Sequence, residues 1–282
     1  MNKNFWHKHG HTVIIYVFLA ALMVFVSIFN KDFFTLGNFK NLLRSSFPLL
    51  MAALGQTLII LTGGIDLSLG GIVALCNVVC VLSMNPDSAW GFVPALGAAA
   101  AVGLACGAVN GVLVTKGRLA PIIVTIATTA VFDGMALLLM PNPGGSVHKA
   151  FAKFLTRGYS GAVPFLLFLL ILCLVRSLAN STPYGKALRA IGGSENAAYS
   201  TGIRVGKIKF CAYCLGGLLC AVAGIFLSAQ MNSADATIGK NYAMNAITAT
   251  VVGGTAMTGA VEDPLGTIAG VFIISIINNM LN

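Results

Sequence analysis

The chain has 282 residues, of which 57% are hydrophobic and only 9% are charged. Soluble domains usually carry about a quarter charged residues, so this composition excludes a water-soluble surface. The net charge of +9 would favour nucleic-acid binding in a soluble protein. Here the Lys and Arg residues lie almost entirely between apolar blocks, which indicates membrane topology and no nucleic-acid partner.

The apolar residues form nine blocks along the chain, and each is a candidate membrane span. Several approach the roughly 20 residues that a helix needs to cross a hydrocarbon core about 30 Å thick. This pattern predicts an all-α, polytopic membrane protein with a single transmembrane domain over residues 1–282. The blocks cover residues 13–29, 49–61, 67–84, 92–114, 119–140, 163–175, 210–229, 242–257 and 264–281.

The basic residues between the blocks give a modest topology signal. If the N-terminus is cytoplasmic and every block crosses once, ten of the 17 Lys and Arg residues lie on inner loops and seven on outer loops. Six of them fall within 176–209, which we place inside. Residues 141–161 contain Pro-x-Pro-Gly-Gly and are predicted to be an exported loop.

The membrane pattern is first interrupted at residues 62–71, Thr-Gly-Gly-Ile-Asp-Leu-Ser-Leu-Gly-Gly. A carboxylate near the bilayer centre costs about 2.5 to 3.5 kcal/mol on insertion scales, so Asp66 should be buried in protein or face water. Gly63 and Gly64 allow a tight turn. Asp66 can then cap the following helix, with Ser68 in its first turn. We favour capping over solute contact for Asp66, although broken membrane helices often line a solute path.

A second interruption begins at Gly253 and Gly254 and ends at Asp263. Pro264 follows at once, and Asp-Pro is a typical start of a helix because proline at its first position loses no useful donor. Two Gly-Gly breaks, one in each part of the chain, are typical of a transporter with broken helices and two related halves.

Four further polar residues lie within or beside the blocks: Asn77, Asn110, Asp133 and Asn245. Such groups more often form interhelical hydrogen bonds than ligand contacts. Asp133 is the most costly to bury and is therefore the best candidate among them for solute contact. The translocation-path candidates are Gly63, Gly64, Asp66, Ser68, Asn77, Asn110, Asp133, Asn245, Gly253 and Gly254.

Small residues in the spans favour packing over chemistry. Gly103, Gly107 and Gly111 recur every four residues, so another helix can approach that stripe closely. Cys211 and Cys214 form a C-x-x-C inside an apolar block, without the second pair that a zinc site needs, and we predict no metal site.

Residues 180–207 are too polar to span the membrane and form the predicted cytoplasmic segment. Ser194 is placed to cap a short helix. In that helix Ala197, Ala198 and Thr201 would share a small-residue face suited to another protein's groove. The alternative is a surface helix without a partner.

Three stretches together resemble the permease subunits of ribose-type ATP-binding-cassette importers. Residues 63–71, with Gly-Gly-Ile-Asp-Leu-Ser, resemble that family's hallmark, and 182–203 are similar to its cytoplasmic coupling segment. Val-Gly-Gly-Thr at 252–255 with Pro-Leu-Gly-Thr at 264–267 matches its C-terminal signature. The resemblance covers nearly the whole chain, with the motifs in the right order.

The resemblance implies a permease of about ten spans, so nine to ten transmembrane helices are expected. Because family members continue through one more span than the nine counted here, either a span follows Asn282 or the count is one too low. The resemblance also implies a location in the bacterial inner membrane and a homodimer, or a heterodimer with a second permease. An external sugar-binding protein and separate cytoplasmic ATPase subunits would complete the assembly.

ATP and Mg would be used by those partner subunits, and no cofactor by this chain. The chain contains no Gly-x-x-x-x-Gly-Lys-Ser/Thr phosphate loop, so we predict a transport subunit without its own ATPase site and not an enzyme. The resemblance carries the ATPase-coupling role onto Pro183, Tyr184, Gly185, Ala190, Gly192, Glu195, Asn196, Ala197, Ala198 and Gly202.

The predicted function is import of a monosaccharide or similar neutral, hydroxylated solute. An ABC permease for a nucleoside or an autoinducer-type sugar remains open, as does an ion-coupled secondary transporter with Asp66 or Asp133 as ion ligand. A membrane-embedded enzyme fits less well, because the spans contain no paired His or metal-ligand spacing. A channel fits worse still, since no ring-forming charge pattern stands out.

Overall fold

The computed structural model describes residues 3–88, 90–261 and 264–281, and over these ranges the chain is all-helical, as predicted. Eleven α-helices lie within the described residues. They are α1 (Lys3–Phe29), α2 (Leu36–Ile60), α3 (Leu69–Leu82), α4 (Phe92–Thr115), α5 (Pro121–Leu139), α6 (Lys149–Ser181), α7 (Pro183–Gly193), α8 (Glu195–Ser200), α9 (Val205–Met231), α10 (Tyr242–Val252) and α11 (Pro264–Leu281).

Six of the described helices are long and apolar enough to cross a bilayer: α1 from Thr12, α2, α4, α5, α6 from Ala162, and α9. The helices α3, α10 and α11 are apolar but shorter. With 14 residues in α3 and 11 in α10, these two helices are only about 21 and 17 Å long. The expected count of nine to ten spans is therefore not confirmed, because the two breaks shorten the helices beside them.

The helices α2 and α6 both begin well before the apolar blocks that predicted them. The helix α2 begins at Leu36 and not near residue 49, because the Thr35 side chain caps it by accepting from Asn38 N at 3.3 Å. The helix α6 begins at Lys149, where the His148 ring accepts from Phe151 N at 3.2 Å. Much of the predicted loop 141–161 is therefore helical, and the irregular part ends at His148.

The interior of the bundle is built around α9, which packs against α2, α3 and α4. Every residue of α2 from Ser46 to Ile60 is buried, including those that contact α9. Phe47 stacks on Phe226 with ring centroids 4.3 Å apart. Outer helices instead expose apolar side chains, such as Leu138 of α5 at 84% and Leu166 of α6 at 62%. A soluble protein rarely exposes so large an apolar surface, whereas lipid accommodates it.

The glycine stripe of α4 allows close helix approach, as predicted. A Cβ on Gly103 would lie 2.4 Å from the Gly217 oxygen, and one on Gly107 would lie 2.3 Å from the Tyr213 oxygen. The backbones of α4 and α9 are therefore in direct contact, which only glycine permits.

A non-helical segment of mostly turns, residues 232–241, connects α9 to α10 and runs along α3. It begins where Ala234 pairs with Gly144 through two backbone hydrogen bonds. Asp235 N then donates to the Asn77 side chain at 2.9 Å, and Gly239 lies against Gly70 at the start of α3. The helix α10 consequently begins inside the bundle, beside the first turn of α3.

Candidate functional site

The first break turns the chain back into the bundle after α2. Gly63 has φ +75°, a left-handed conformation that favours glycine. Asp66 Oδ1 accepts hydrogen bonds from Ser68 N and Ser68 Oγ, both at 2.7 Å. Ser68 is the residue preceding α3 and not part of its first turn. The carboxylate therefore fixes the residue that precedes α3. The sequence had predicted that it would cap the amides of the first turn, which begin one residue later.

The Asp66 carboxylate belongs to a closed polar cluster with Ser68 and Asn110. Asn110, on α4, donates to Ser68 Oγ at 2.7 Å and to Asp66 Oδ2 at 3.4 Å. These three residues are at most 1% exposed. They join the first break to α4 and are closed off from solvent.

The side chain of Gln56 also holds this break, and sequence reasoning missed it. When the side-chain amide is oriented so that both its nitrogen and its oxygen form hydrogen bonds, Gln56 donates to Asp66 O at 3.1 Å and accepts from Asp66 N at 3.3 Å. Asp66 therefore lies level with Gln56, more than a turn inside the end of α2. A polar residue in an otherwise apolar run was the available signal.

Asn77 fastens α3 to α9 and to the segment that follows α9. Its amide donates to Ser228 Oγ at 2.8 Å and accepts from Asp235 N. Asn77 is fully buried. It is the interhelical hydrogen-bonding group that the sequence favoured.

Asp133 and Asn245 differ from the buried candidates because both are partly exposed. Asp133 lies on α5 against Gly71, where an added Cβ would meet its Oδ1 at 2.9 Å. Asn245 lies on α10 and lines a cavity of about 530 Å³. The structure does not bring these two residues to the buried Asp66 cluster.

The second break follows α10. Gly254 has φ +96°, and a Cβ on Gly253 would lie 2.5 Å from Thr267 N of α11. The helix α11 begins at Pro264, in agreement with the sequence. Asp263, the predicted start signal, lies outside the described residues.

The two breaks touch each other. Ala260 N donates to Leu61 O at 3.2 Å. A Cβ on Gly259, which has φ +87°, would lie 3.0 Å from Gly63 N. The ends of α2 and α10 are thus joined through backbone at one end of the bundle.

The helix α7 is fixed to the end of α6. The Thr182 side chain caps it by accepting from Gly185 N at 3.2 Å, and Pro183 is its first residue. Arg189 donates to Asn180 Oδ1 at 2.8 Å and to Ala179 O at 2.9 Å. Burial raises the pKa of the Tyr184 phenol, which stays protonated and donates to Ile208 O at 3.4 Å. Ala190 is exposed on this helix.

The helix α8 follows directly, and its predicted cap is present. Ser194 Oγ accepts from Ala197 N at 3.3 Å. The expected small-residue face is wrong in one respect: Ala198 is buried with Ile191 and Val205 instead of facing outwards. The exposed surface of this region includes Glu195, Asn196, Ala197, Tyr199, Thr201 and Gly202.

Gly192 of α7 lies at the junction of the two breaks. A Cβ there would lie 2.1 Å from Leu61 O and 2.4 Å from Ala260 N. Most of the predicted coupling residues thus belong to one compact unit of α7 and α8 that rests on both breaks. Only glycine fits at this contact.

A polar cavity of about 530 Å³ lies at the opposite end of α2, α10 and α11 from these breaks. The sequence prediction had selected only Asn245 from its lining. The missed signal was a set of amide residues, some at the ends of apolar blocks and two in the polar stretch before block 49–61. They are Asn38, Asn41, Gln230, Asn241, Asn278 and Asn279.

A second cavity of about 470 Å³ shares Arg44 and Gln230 with the first. Lys149, Lys153 and Arg157 line it, spaced four residues apart on α6. Residues four apart lie on one helix face. This end of the bundle therefore carries a concentrated positive charge.

The sequence of this chain matches a known family of membrane proteins. The model of the family described as "Branched-chain amino acid transport system / permease component" matches residues 38–282. The chain belongs to this permease family. With six apolar helices able to cross a bilayer in its described part, the permease is a multi-pass protein of the bacterial inner membrane.

Curated relatives resemble the permease over most of its length. The ribose import permease protein RbsC of Bacillus subtilis is 39% identical over 94% of this chain and 83% of its own. RbsC of Escherichia coli strain K12 is 34% identical over 94% and 84%. The autoinducer 2 import system permease protein LsrC of Yersinia pseudotuberculosis strain YPIII is 30% identical over 98% and 78%. No solved structure matches the chain.

Proposed function

We propose that the permease is the transmembrane subunit of an ABC importer that brings a monosaccharide or similar neutral, hydroxylated solute into the cytoplasm. Relatives named as ribose and autoinducer 2 import permeases support a sugar-like solute. Separate ATPase subunits would supply the free energy. A second permease subunit and an external binding protein would complete the assembly.

The position of Gly192 carries the proposal. The unit of α7 and α8 rests through this residue on Leu61 and Ala260, one from each break. Close-packed backbones transmit displacement, because protein interiors have few voids to absorb it. A push on α8 by an ATPase subunit would therefore move the ends of α2 and α10 together and switch access to the path.

The exposed surface of α8 suits a docking role. Tyr199 is 75% exposed, an unusual position for a large aromatic side chain. Tyrosine is enriched among the residues that dominate binding energy at interfaces. We assign this surface, with Asn196 beside Tyr199 on α8, to the contact with the ATPase.

The basic cavity at the other end would then face outwards. Arg44, Lys149, Lys153 and Arg157 line it, and no carboxylate residue is among its described lining. Such a surface steers and orients an acidic partner. We assign it to the external binding protein.

The test is ATP-dependent uptake of labelled d-ribose by the complete transporter in proteoliposomes. Glu195→Arg should abolish stimulated uptake, but Glu195 also pairs with Lys209 at 2.5 Å within the subunit. The charge-swapped double variant, Glu195→Arg with Lys209→Glu, restores that internal pair. If Glu195 contacts the ATPase, the double variant stays inactive. Full uptake by the double variant would assign Glu195 to the internal pair alone.

Tyr199→Ala gives an independent test, because Tyr199 is so exposed that its loss should leave the fold unchanged. We expect binding of the ATPase to weaken by about tenfold or more, as for an interface hot spot. Lys116→Ala, on another predicted inner loop, is the matched control.

The energy source distinguishes the rival function. Uptake that continued after ATP depletion and collapsed with an uncoupler would instead indicate an ion-coupled transporter.

A further inference from the structure

We infer that the cavity of about 530 Å³ is a binding chamber for one neutral, polyhydroxylated solute, with Asn241 and Asn245 determining its specificity. This inference rests on the proposed function and names the place where the solute is recognised. We call this cavity the amide chamber. Its lining is Asn38, Asn41, Arg44, Ser45, Leu49, Gln230, Ile238, Asn241, Tyr242, Asn245, Ser275, Asn278 and Asn279.

The chemistry of the lining matches a sugar. Six asparagines and a glutamine surround the chamber. An amide side chain has both donors and an acceptor, as a sugar hydroxyl does. Asn38 already donates to Phe33 O, and Asn41 Oδ1 already accepts from Arg44, so the remaining amide groups are the ones that can face a ligand. Arg44 is the single charged residue in the described lining. A neutral polyol is therefore favoured, and a cation is disfavoured by the guanidinium.

Several of these polar groups have no partner within the described protein. The side chains of the exposed Asn241 and the partly exposed Asn245 form no hydrogen bond to another described residue, so their amides are available to a ligand. Gln230 Oε1 and Arg44 Nε are buried without a hydrogen-bond partner among the described residues. Buried polar groups are normally paired, and an unpaired one is costly. A bound polyol can supply the missing partners.

The chamber also has the shape of a site. Its volume falls within the range of about 300 to 1,000 Å³ typical of small-molecule pockets. Leu49, Ile238 and Tyr242 provide apolar surface beside the amides. Pockets of this kind combine apolar walls with a few placed polar groups, which fix the orientation of the ligand.

Its position fits an entry site. The lining comes from the N-terminal parts of α2 and α10, the end of segment 232–241 just before α10, and the C-terminal parts of α9 and α11. Gly192 lies at the other end of α2, α10 and α11. Since α10 starts inside the bundle, Asn241 and Asn245 lie at the inner limit of the chamber. A solute entering from the outer end would meet them before the breaks.

The test uses d-ribose uptake by the reconstituted transporter, with stimulated ATP hydrolysis measured in parallel. Asn245→Leu removes the amide at similar size and should raise KM by about fivefold, as expected for one lost hydrogen bond. Asn245→Gln, which keeps an amide, should recover part of the loss. Asn142→Leu, in the exposed turn before α6, is the matched control and should leave KM unchanged.

A second variant tests space instead of polarity. Asn245→Trp should fill the chamber and abolish uptake while ATP hydrolysis continues. Unchanged KM in Asn245→Leu together with unimpaired uptake in Asn245→Trp would overturn the inference.

A binding measurement separates the inference from the proposed function. High concentrations of d-ribose should raise the melting temperature of the purified full-length permease in detergent, and Asn245→Leu should remove this shift. A shift that depends on Asn245, in a complex without ATP-driven uptake, supports the chamber but contradicts the importer. ATP-driven uptake with no effect of the Asn245 variants in either assay contradicts the chamber alone.

Discussion

Gly192 in α7 packs against the carbonyl oxygen of Leu61 at the end of α2, at a distance that leaves no room for a methyl group. The neighbouring Gly193 has ordinary space, because its Cβ would lie 3.8 Å from the Ala260 Cβ. These two adjacent glycines form a natural pair of test and control positions.

Gly192→Ala should separate the unit of α7 and α8 from the breaks. A Cβ at 2.1 Å from Leu61 O and 2.4 Å from Ala260 N must displace backbone on both sides. Overpacking of this kind typically costs about 1 to 3 kcal/mol. We expect ATP hydrolysis to continue while solute uptake falls several-fold, as measured in proteoliposomes. Gly193→Ala should behave as the unaltered protein, and equal loss in both variants would contradict this role of the contact.

Gly107→Ala should loosen the contact between α4 and α9, since its Cβ would lie 2.3 Å from Tyr213 O. We expect a destabilisation of about 1 to 3 kcal/mol, measured as a lower melting temperature in detergent. Gly97→Ala, also in α4, has no atom within 4 Å of the added Cβ. That control should be neutral or more stable by roughly 0.5 to 1 kcal/mol, because alanine favours a helix.

Asp66→Ala should destabilise the first break. The substitution removes the acceptor of Ser68 N and Ser68 Oγ in a site that is almost fully buried. Leaving a buried donor unpaired costs about 1 to 3 kcal/mol. The melting temperature in detergent should fall, whereas Asp87→Ala at an exposed turn should not change it. A stable Asp66→Ala protein that has lost only ion-dependent uptake would instead favour Asp66 as an ion ligand.

Asn77→Leu should release residues 232–241 from α3. The variant keeps the side-chain volume but loses the hydrogen bonds to Ser228 and Asp235, both buried or partly buried partners. Limited proteolysis should then cut the segment faster, with a loss of about 1 to 3 kcal/mol in stability. Asn142→Leu again serves as control, and an unchanged cleavage rate would exclude this fastening role for Asn77.

The local features that the sequence predicted correctly depend on neighbouring residues. The cap at Ser194, the start of α11 at Pro264 and the turn at Gly63 follow from conformational preferences that act over a few residues. The starts of α2 and α6 were missed because their first turns are polar. Lys40, Lys149 and Lys153 lie in helices that extend beyond the apolar blocks.

The amide chamber could not be predicted from the sequence because its walls come from four distant segments. The lining residues lie far apart in the chain, as Asn41, Gln230, Asn245 and Ser275 show. None of these four belongs to a recognised sequence motif. Burial also could not be predicted for Ala198, although the residues that cover it are near in sequence. The sequence predicted that Ala198 faces a partner, but Val205 and Ile191 pack over it within the chain.

The sequence by itself determined that the chain lies in a membrane, because apolar blocks of this length and a charge content of 9% cannot form a water-soluble surface. It also determined where the helices break, since glycine and proline act on the backbone locally. Only the tertiary structure decided that the two breaks touch, that Gly192 rests on both, and that the asparagines surround one chamber. Contacts between distant segments depend on how the helices pack, which residue-by-residue preferences do not specify.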